Sequence, residues 1–334
     1  MKIIIDAFGG DNCPDVPVKA AVRAVKKLGC EMVLVGDSDK INSLLVSSGI
    51  SDSRISVVHA SEVITNEEKP ATAVRTKKGS TLVVGAKLLS EGGGDAFVSA
   101  GSTGALLAAS LFNVGRISGV RRPALAVVLA SVEGRTLLLD CGANAECKSE
   151  DLYTFAAMGS IYMKKLFGIS SPRIALLSNG TEQGKGNSIL KETYYLLEES
   201  SLNFVGNLEG RNINLGGADV MVSDGFSGNV ALKSVEGAAK MISCGLKNKL
   251  FKNYRTKLGA LLLKPELKEF SAEFDYKQYG GAPLLGIKMP VIKAHGSSDE
   301  ISYLKAIEQA CRWAKENVNS EIEMYFSSSA ESLQ

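Results

Sequence analysis

The chain has 334 residues, of which 45% are hydrophobic and 22% charged, and its formal net charge at pH 7 is +2. This length is enough for a large buried core, and the composition is that of an ordinary globular protein. The small net charge, with no long polybasic run and no RNA-reading aromatic motif, argues against a nucleic-acid-binding protein.

The sequence also argues against secretion, membrane insertion and metal binding. Asp6 interrupts the first apolar run, so we expect no signal peptide, and no apolar segment approaches the roughly 20 residues that span a bilayer. The six cysteines are scattered without a C-x-x-C pair, and there are only two histidines. We therefore expect a cytoplasmic protein, at most peripheral on the inner face of the membrane, with no disulfide framework, metal or cofactor.

Short β-branched runs alternate with longer amphipathic stretches along the chain. Near-continuous apolar strands between helices predict an α/β fold of three layers, with a mostly parallel sheet covered by helices on both faces. No linker divides the chain, so we expect one unit over residues 1–334. The predicted strands are Lys2–Ile5, Met32–Val35, Ile55–Val58, Ala96–Ser99, Leu125–Leu129, Thr136–Leu139, Arg173–Leu177, Val220–Ser223 and Val291–Lys293. The predicted helices include Val18–Leu28, Ser80–Leu89, Ser149–Phe167, Asn187–Glu199 and Asn229–Lys249.

Small polar turns that contain glycine follow six of the predicted strands. Glycine lets the backbone approach a ligand closely, and the free N–H groups at a helix N-terminus suit phosphate. Such turns and caps are also needed in any α/β protein, but six of them with Asp, Asn, Ser and Thr favour an anion-binding crevice where the carboxyl ends of parallel strands meet. The turns are Asp6–Asp11, Ser99–Gly104, Asp140–Asn144, Ser178–Glu182, Ser223–Asn229 and His295–Asp299.

Several common catalytic motifs are absent. The run Gly180–Lys185 is one residue short of a P-loop and lacks the Ser or Thr that follows its lysine. The first strand is not followed by G-x-G-x-x-G, and neither G-x-S-x-G nor H-E-x-x-H occurs. What remains is phosphate handling without an evident covalent nucleophile or metal.

Nine stretches, in order and from residue 1 to about 310, resemble the phosphate acyltransferase (PlsX) family of bacterial glycerolipid synthesis. The resemblance implies a fold akin to isocitrate and isopropylmalate dehydrogenases, a homodimer, and transfer of a long-chain acyl group from acyl carrier protein to inorganic phosphate. The acyl phosphate product would serve phosphatidic acid synthesis through an acylphosphate-using glycerol-3-phosphate acyltransferase. Two positions depart from the family pattern, Phe8 and Ser102. The stretches are Asp6–Asp11, Ser99–Ala105, Arg122–Leu125, Leu139–Asn144, Gly180–Asn187, Asn203–Gly210, Ser223–Lys233, Tyr279–Gly286 and His295–Asp299.

The resemblance and the residue chemistry together indicate candidate site residues. Lys185 is expected to pair with phosphate and Asn229 to donate to the carbonyl oxygen as it becomes an oxyanion. The simpler interpretation makes Lys185 a solvated loop charge and Asn229 a helix cap. The candidate phosphate-binding residues are Asp6, Gly9, Gly10, Asp11, Gly101, Ser102, Thr103, Gly104, Asn144, Asn187, Asp224, Gly228 and His295.

A basic amphipathic segment, at about residues 246–275, has six basic residues and no acidic one between Leu246 and Lys264. Such a surface suits an acidic carrier protein or an anionic membrane, or its apolar face packs in a dimer. The candidate docking residues are Lys247, Lys252, Arg255, Lys257, Leu258, Leu261 and Leu262.

Three other functions compete with this interpretation. A phosphate acetyl- or butyryltransferase that uses short acyl-coenzyme A shares the chemistry, and only the donor distinguishes it. A non-catalytic scaffold that binds carrier protein and membrane would not need the crevice turns. A metal-dependent hydroxyacid dehydrogenase would need nicotinamide-binding signals that the sequence lacks.

Overall fold

The computed structural model describes residues 1–49, 52–273 and 279–331. Its strands are β1 (Lys2–Asp6), β2 (Glu31–Gly36), β3 (Ile55–His59), β4 (Ala96–Ser99), β5 (Ala124–Ser131), β6 (Gly134–Leu139), β7 (Ile174–Ser178), β8 (Phe204–Glu209), β9 (Val220–Val222), β10 (Ala282–Leu285) and β11 (Val291–Lys293). Its helices are α1 (Asp15–Leu28), α2 (Ser38–Ser47), α3 (Pro70–Thr76), α4 (Thr81–Ser90), α5 (Thr103–Asn113), α6 (Ser149–Phe167), α7 (Ser188–Glu198), α8 (Asn212–Leu215), α9 (Gly225–Leu250), α10 (Tyr254–Leu262), α11 (Lys264–Glu273), α12 (Glu300–Lys315) and α13 (Val318–Glu331).

The strands form one 11-stranded sheet in the order β3-β2-β1-β4-β11-β10-β5-β6-β9-β7-β8. Successive side chains of a strand point to opposite faces, so Ile3 and Ile5 enter one buried cluster and Ile4 the other. The first cluster packs against α1, α6 and α12, and the second against α4 and α5. The predicted α/β class, with a mostly parallel sheet between two helical layers, is therefore confirmed.

The two halves of the sheet run in opposite directions. The first group is β1 to β4 with β11, all parallel, and the second is β6, β9, β7 and β8, also parallel. Between them β10 is antiparallel to both β11 and β5, and β5 is antiparallel to β6. The expectation that all six turns share one edge of a parallel sheet is therefore wrong, since three follow strands of each group. β5 and β6 form a hairpin, which contributes one of these reversals.

Every predicted strand is present, but β8 and β10 were not predicted. β8 contains Gly206 and Asn207, which are uncommon in strands, and its pairing with β7 is irregular. β10 contains Pro283, which cannot donate to a ladder, and follows Gly280 and Gly281.

Helix α9 begins at Gly225, four residues before the predicted start at Asn229. The side chain of Asp224 caps it, because its Oδ1 accepts a 2.7 Å hydrogen bond from the backbone N–H of Ser227. Asn229 is therefore inside the helix and is not its cap.

Candidate functional site

A cavity of about 220 Å³ lies beside the middle of the sheet and contacts both α5 and α9. It is bounded by β5 and β10, the antiparallel strands between the two halves of the sheet. Residues from both halves therefore line it, although the turns of the two halves lie at opposite edges of the sheet. Its polar and glycine lining includes Thr103, Gly142, Asn229, Lys233, Glu236, Lys293 and His295. Its apolar lining includes Leu125, Val127, Val128, Leu232, Ala282 and Ala294.

Three of the predicted turns meet at the end of β1, β4 and β11. The backbone N–H of Asp11 donates a 2.9 Å hydrogen bond to the carbonyl oxygen of Gly296. A Cβ at Gly9 would lie 2.6 Å from the backbone nitrogen of Gly101, so only glycine permits this approach of two turns. Gly10 has φ +94° and lies against the carbonyl oxygen of Gly296. Three of the six predicted turns therefore lie together, and the other three are at the opposite edge of the sheet.

The side chain of Asp6 connects two of these turns, the one after β1 and the one after β4. Its side chain is fully buried, and its Oδ2 accepts a 2.6 Å hydrogen bond from Ser99 Oγ, which in turn accepts from the backbone N–H of Gly101 at 2.9 Å. Burial raises the pKa of Asp6, and hydrogen bonds from Ser99 and Thr81 oppose that rise. Asp6 therefore organises the turns rather than lining the cavity.

On the other half of the sheet, Asp140 and Asn144 organise the turn after β6. Asn144 Nδ2 donates to the carbonyl oxygen of Pro123 at 2.8 Å and to Asp140 Oδ2 at 2.9 Å, so both amide hydrogens are used within the protein. Burial also raises the pKa of Asp140, which accepts from the backbone N–H groups of Leu125 and Ala143. Asn144 was predicted to bind phosphate, but its amide is engaged in holding this turn.

Asn229 projects from α9 toward the turn after β6. A Cβ at Gly142 would lie 3.7 Å from its Cγ and 3.9 Å from its Nδ2. Gly142 has φ +120°, a conformation that residues with a side chain rarely adopt. Asn229 is exposed and lines the cavity, and its role as an oxyanion donor stays a prediction.

Lys293 is one of the cavity residues that the sequence prediction missed, as are Lys233 and Glu236. It ends β11 and is half-buried, and its Nζ donates to the carbonyl oxygens of Ala100 at 3.2 Å and Ala294 at 2.6 Å. Burial lowers the pKa of Lys293 to about 8, while the charges of Asp6 and Asp11 oppose that change. The one available signal was a lysine at the carboxyl end of an apolar strand, which in one sequence also fits a solvated strand end.

The other predicted residues lie in several places. Thr103 lines the cavity, and Ser102 precedes it as the N-cap of α5, with no side-chain bond to the helix. Gly104 packs on Pro70, since a Cβ there would lie 2.8 Å from Pro70 Cγ. His295 lines the cavity and its Nδ1 accepts from the backbone N–H of Ser297 at 3.2 Å.

Lys185 is exposed in the turn between β7 and α7 and does not line the cavity. Asn187, in the same turn, caps α7 by accepting a 2.9 Å hydrogen bond from the backbone N–H of Leu190. The structure therefore does not bring Lys185 and Asn229 into one described cavity, and a catalytic role for Lys185 stays a prediction.

The candidate docking residues lie at the end of α9, in α10 and, for Lys252, in the connection between these helices, and all seven are exposed. Leu258, Leu261 and Leu262 are 60%, 65% and 73% exposed, and Tyr254 is 92% exposed, whereas Ala260 is the buried residue of α10. The predicted segment reached residue 275, and its last two residues, 274 and 275, lie outside the described part of the chain.

Two kinds of feature are absent from the described residues. None of their helices is long and apolar enough to cross a membrane. They also contain no group of three or more His, Cys, Asp or Glu side chains placed to hold a metal ion.

Solved structures share the fold across nearly the whole chain. A phosphotransacetylase from Streptococcus pyogenes matches with a TM-score of 0.65 at 20% identity, covering 95% of this chain and 94% of that one. A branched-chain phosphotransacylase from Enterococcus faecalis matches with a TM-score of 0.55 at 17% identity, covering 93% and 99%. A 4-hydroxythreonine-4-phosphate dehydrogenase from Klebsiella pneumoniae also scores 0.55, at 14% identity and covering 94% and 99%. At these identities the likeness concerns the fold alone.

Sequence relatives identify the family. A family profile described as "Fatty acid synthesis protein" matches residues 1–321. The phosphate acyltransferase of Alkaliphilus oremlandii is 49% identical over 95% of this chain and 95% of its own length. The phosphate acyltransferases of Bacillus licheniformis and Clostridioides difficile are 49% and 43% identical, over 97% and 98% of this chain and 97% and 96% of their own lengths. The chain therefore belongs to the phosphate acyltransferase family and is a transferase of that class.

Proposed function

We propose that this enzyme moves a long-chain acyl group from acyl carrier protein to inorganic phosphate and releases an acyl phosphate for phosphatidic acid synthesis. The observation that carries the proposal is the cavity in which Asn229 and Lys293 lie beside an apolar wall of Leu125, Val127 and Leu232. A cation and an amide in one cavity suit phosphate and a developing oxyanion, and an apolar wall suits the acyl chain.

The reaction needs no covalent enzyme intermediate. An oxygen of hydrogen phosphate attacks the thioester carbonyl carbon, the carbonyl oxygen becomes an oxyanion, and the C–S bond then breaks. The phosphate O–H proton ends on the departing pantetheine sulfur, so hydrogen phosphate and acyl thioester give acyl phosphate and free thiol. A thiol is a good leaving group, so positioning and charge stabilisation are the main requirements.

Two residues take defined roles in this proposal. The Asn229 amide donates to the carbonyl oxygen as negative charge develops on it. Lys185, on an exposed turn, pairs with phosphate or with the phosphate-bearing end of the donor. The exposure of Lys185 favours contact with a substrate that arrives from solvent.

We propose that the exposed basic segment receives the donor protein or the membrane. Lys252, Arg255 and Lys257 present positive charge beside exposed leucines, which suits an acidic carrier protein or anionic lipid headgroups. In this proposal residues 1–334 act as one unit within a homodimer. The unit lies in the cytoplasm, peripheral on the inner face of the membrane, and passes its product to an acylphosphate-using glycerol-3-phosphate acyltransferase.

A short-chain phosphate acyltransferase that uses acyl-coenzyme A is the second candidate, because the phosphotransacetylase of Streptococcus pyogenes shares the fold. The donor distinguishes the two. Purified protein is incubated with palmitoyl-acyl carrier protein or acetyl-coenzyme A, with and without phosphate, and acyl phosphate is trapped as its hydroxamate. We expect phosphate-dependent product from the carrier donor. Thiol release that is unchanged when phosphate is omitted would contradict the transfer, and a preference for acetyl-coenzyme A would favour the second candidate.

A further inference from the structure

We propose that Lys293 is a phosphate-binding residue of this enzyme, and that its ammonium group holds inorganic phosphate at the end of the cavity formed by the turns after β4 and β11. The inference rests on the proposed function for its acceptor, phosphate, but not on the identity of the acyl donor. It assigns a substrate contact to a residue that none of the sequence motifs identified.

The position of Lys293 is fixed by two backbone carbonyl groups. Its Nζ donates to the oxygen of Ala100 at 3.2 Å and to that of Ala294 at 2.6 Å. An ammonium group has three hydrogens, so one donor remains for a ligand. The two bonds also hold a long, flexible side chain in one place, which lowers the entropy lost when phosphate binds.

The charges around Lys293 leave a place for an anion. Lys233 enters the same cavity from α9, but Glu236 pairs with it at 2.8 Å. Among the described residues, Lys293 has no carboxylate within the 4.0 Å of an ion pair. Asp6 and Asp11 are the carboxylates whose charges raise the pKa of Lys293. They only partly offset the lowering of that pKa by burial of the ammonium group. A partly buried cation without a paired anion carries a desolvation cost, and a bound phosphate dianion would offset that cost.

The glycine turns supply the remaining contacts. Thr103 opens α5 directly beside Ala100 and Gly101, and the helix N-terminus adds a partial positive charge. His295 lies next to Ala294 and also faces the cavity. The same end of the cavity therefore gathers an ammonium group, a hydroxyl, an imidazole and a helix N-terminus, all of which suit a phosphate.

The protonation of Lys293 makes phosphate binding depend on pH. Its lowered pKa, about 8, means that the ammonium form dominates below that pH and is lost above it. Phosphate should therefore bind well near neutral pH and weaken as the pH rises through 8 and beyond. The other titratable groups near this position are Asp6 and Asp11, whose charges act on Lys293, and five residues that line the cavity: Cys141, Lys233, Glu236, Tyr279 and His295. A substitution at residue 293 replaces none of them.

The test measures binding of inorganic phosphate to the full-length protein by isothermal titration calorimetry, with no acyl donor present. Lys293→Met removes the ammonium group and keeps the aliphatic stem, and we expect it to weaken phosphate binding by about 30-fold or more, the scale of losing one partner of a desolvated charge pair. Lys293→Arg keeps the charge, and we expect it to retain most of the affinity and to move the loss of binding to higher pH, because a guanidinium stays protonated. Lys288→Met, at an exposed position between β10 and β11, is the matched control.

A different result is expected if Lys293 only holds the backbone at Ala100 and Ala294 and does not contact phosphate. Lys293→Met would then lower the melting temperature and raise the Michaelis constants for both substrates together, and not that for phosphate alone. Parent-like phosphate affinity in Lys293→Met, an unchanged pH profile in Lys293→Arg, or no phosphate binding by the parent would each overturn the inference. If phosphate binds through Lys293 but carrier donor gives no acyl phosphate, the inference stands and the proposed donor is wrong.

Discussion

Gly228 in α9 lies directly against the carbonyl oxygen of Asp140, and a Cβ at residue 228 would be only 1.9 Å from that oxygen. The same Cβ would lie 2.5 Å from Ser223 Oγ. This contact sets how closely the first turn of α9 approaches the turn after β6, and hence how Asn229 meets Gly142. The role of Gly228 is therefore close packing of backbone, and the sequence prediction of a phosphate contact at this position is not needed to explain it.

We predict that Gly228→Ala destabilises the fold, because the backbone of α9 or of Asp140 must move. Overpacking of this kind costs about 1–3 kcal/mol, and the midpoint of urea unfolding measures it. The displaced helix should also carry Asn229 away from its position and lower turnover. Gly237→Ala is the matched control in the same helix, since a Cβ there meets nothing within 4 Å. It should raise stability by about 0.5–1 kcal/mol through helix propensity. Equal stability of the two variants would contradict the packing argument.

The amide of Asn229 is predicted to stabilise the oxyanion. Asn229→Ala should lower turnover by about 100-fold or more, the scale of losing one oxyanion donor. The unfolding midpoint should stay near that of the parent, because the side chain is exposed to the cavity and is not the helix cap. Michaelis constants should change little if the bond forms mainly in the transition state. Turnover close to that of the parent would remove Asn229 from the mechanism.

Lys185 gives a separate test, because it is exposed and lies outside the cavity. Lys185→Ala should lower turnover by about 100-fold or more if its charge stabilises the reacting phosphate. The folded state should persist, since loss of an exposed side chain disturbs little packing. Lys191→Ala, an exposed lysine of α7, is the control. Normal turnover in Lys185→Ala would identify Lys185 as a solvated loop charge.

The sequence predicted the parts of the fold that depend on local patterns. Apolar strands and amphipathic helices have clear periodicities, so β1, β4 and α6 are found where they were expected. The reversal of the sheet was not predicted, because its key strand, β10, contains Pro283 beside glycines and resembles a loop. Long-range pairing of such a strand is decided by its neighbours in space rather than by its own residues.

In the candidate site, the contact between glycine turns was predictable from the sequence, but the directions of individual side chains were not. The meeting of Gly9 with Gly101 followed from glycine turns at adjacent strand ends. The use of the Asn144 amide within its own turn, and the inward direction of Lys293, depend on which groups lie opposite in space. A residue type and its spacing do not encode that, so Asn144 was assigned to the ligand and Lys293 was missed.

The exposed basic segment is predicted to bind carrier protein or an anionic membrane through long-range charge. Reversal of Lys252, Arg255 and Lys257 to Glu should raise the Michaelis constant for acyl-carrier protein, or weaken binding to anionic vesicles, more than it slows turnover. These side chains are exposed, so the substitutions should leave the fold intact. Reversal of Lys19, Lys26 and Lys315, which are exposed on α1 and α12, gives the same change in net charge at another surface and is the control.

Salt provides the second arm of that experiment. Charges that act through solvent are screened beyond about 8 Å at physiological ionic strength, so the difference between parent and variant should shrink as salt is added. Carrier protein is titrated at low and high salt, and vesicle flotation is run in parallel with anionic and neutral lipids. Parent-like affinity of the triple variant for both partners at low salt would show that the segment is not a docking surface. The exposed leucines of α10 would then be better explained by contact with a second copy of the chain. Leu258, Leu261 and Leu262 are 60–73% exposed, and a group of exposed apolar side chains indicates a surface that binds another molecule.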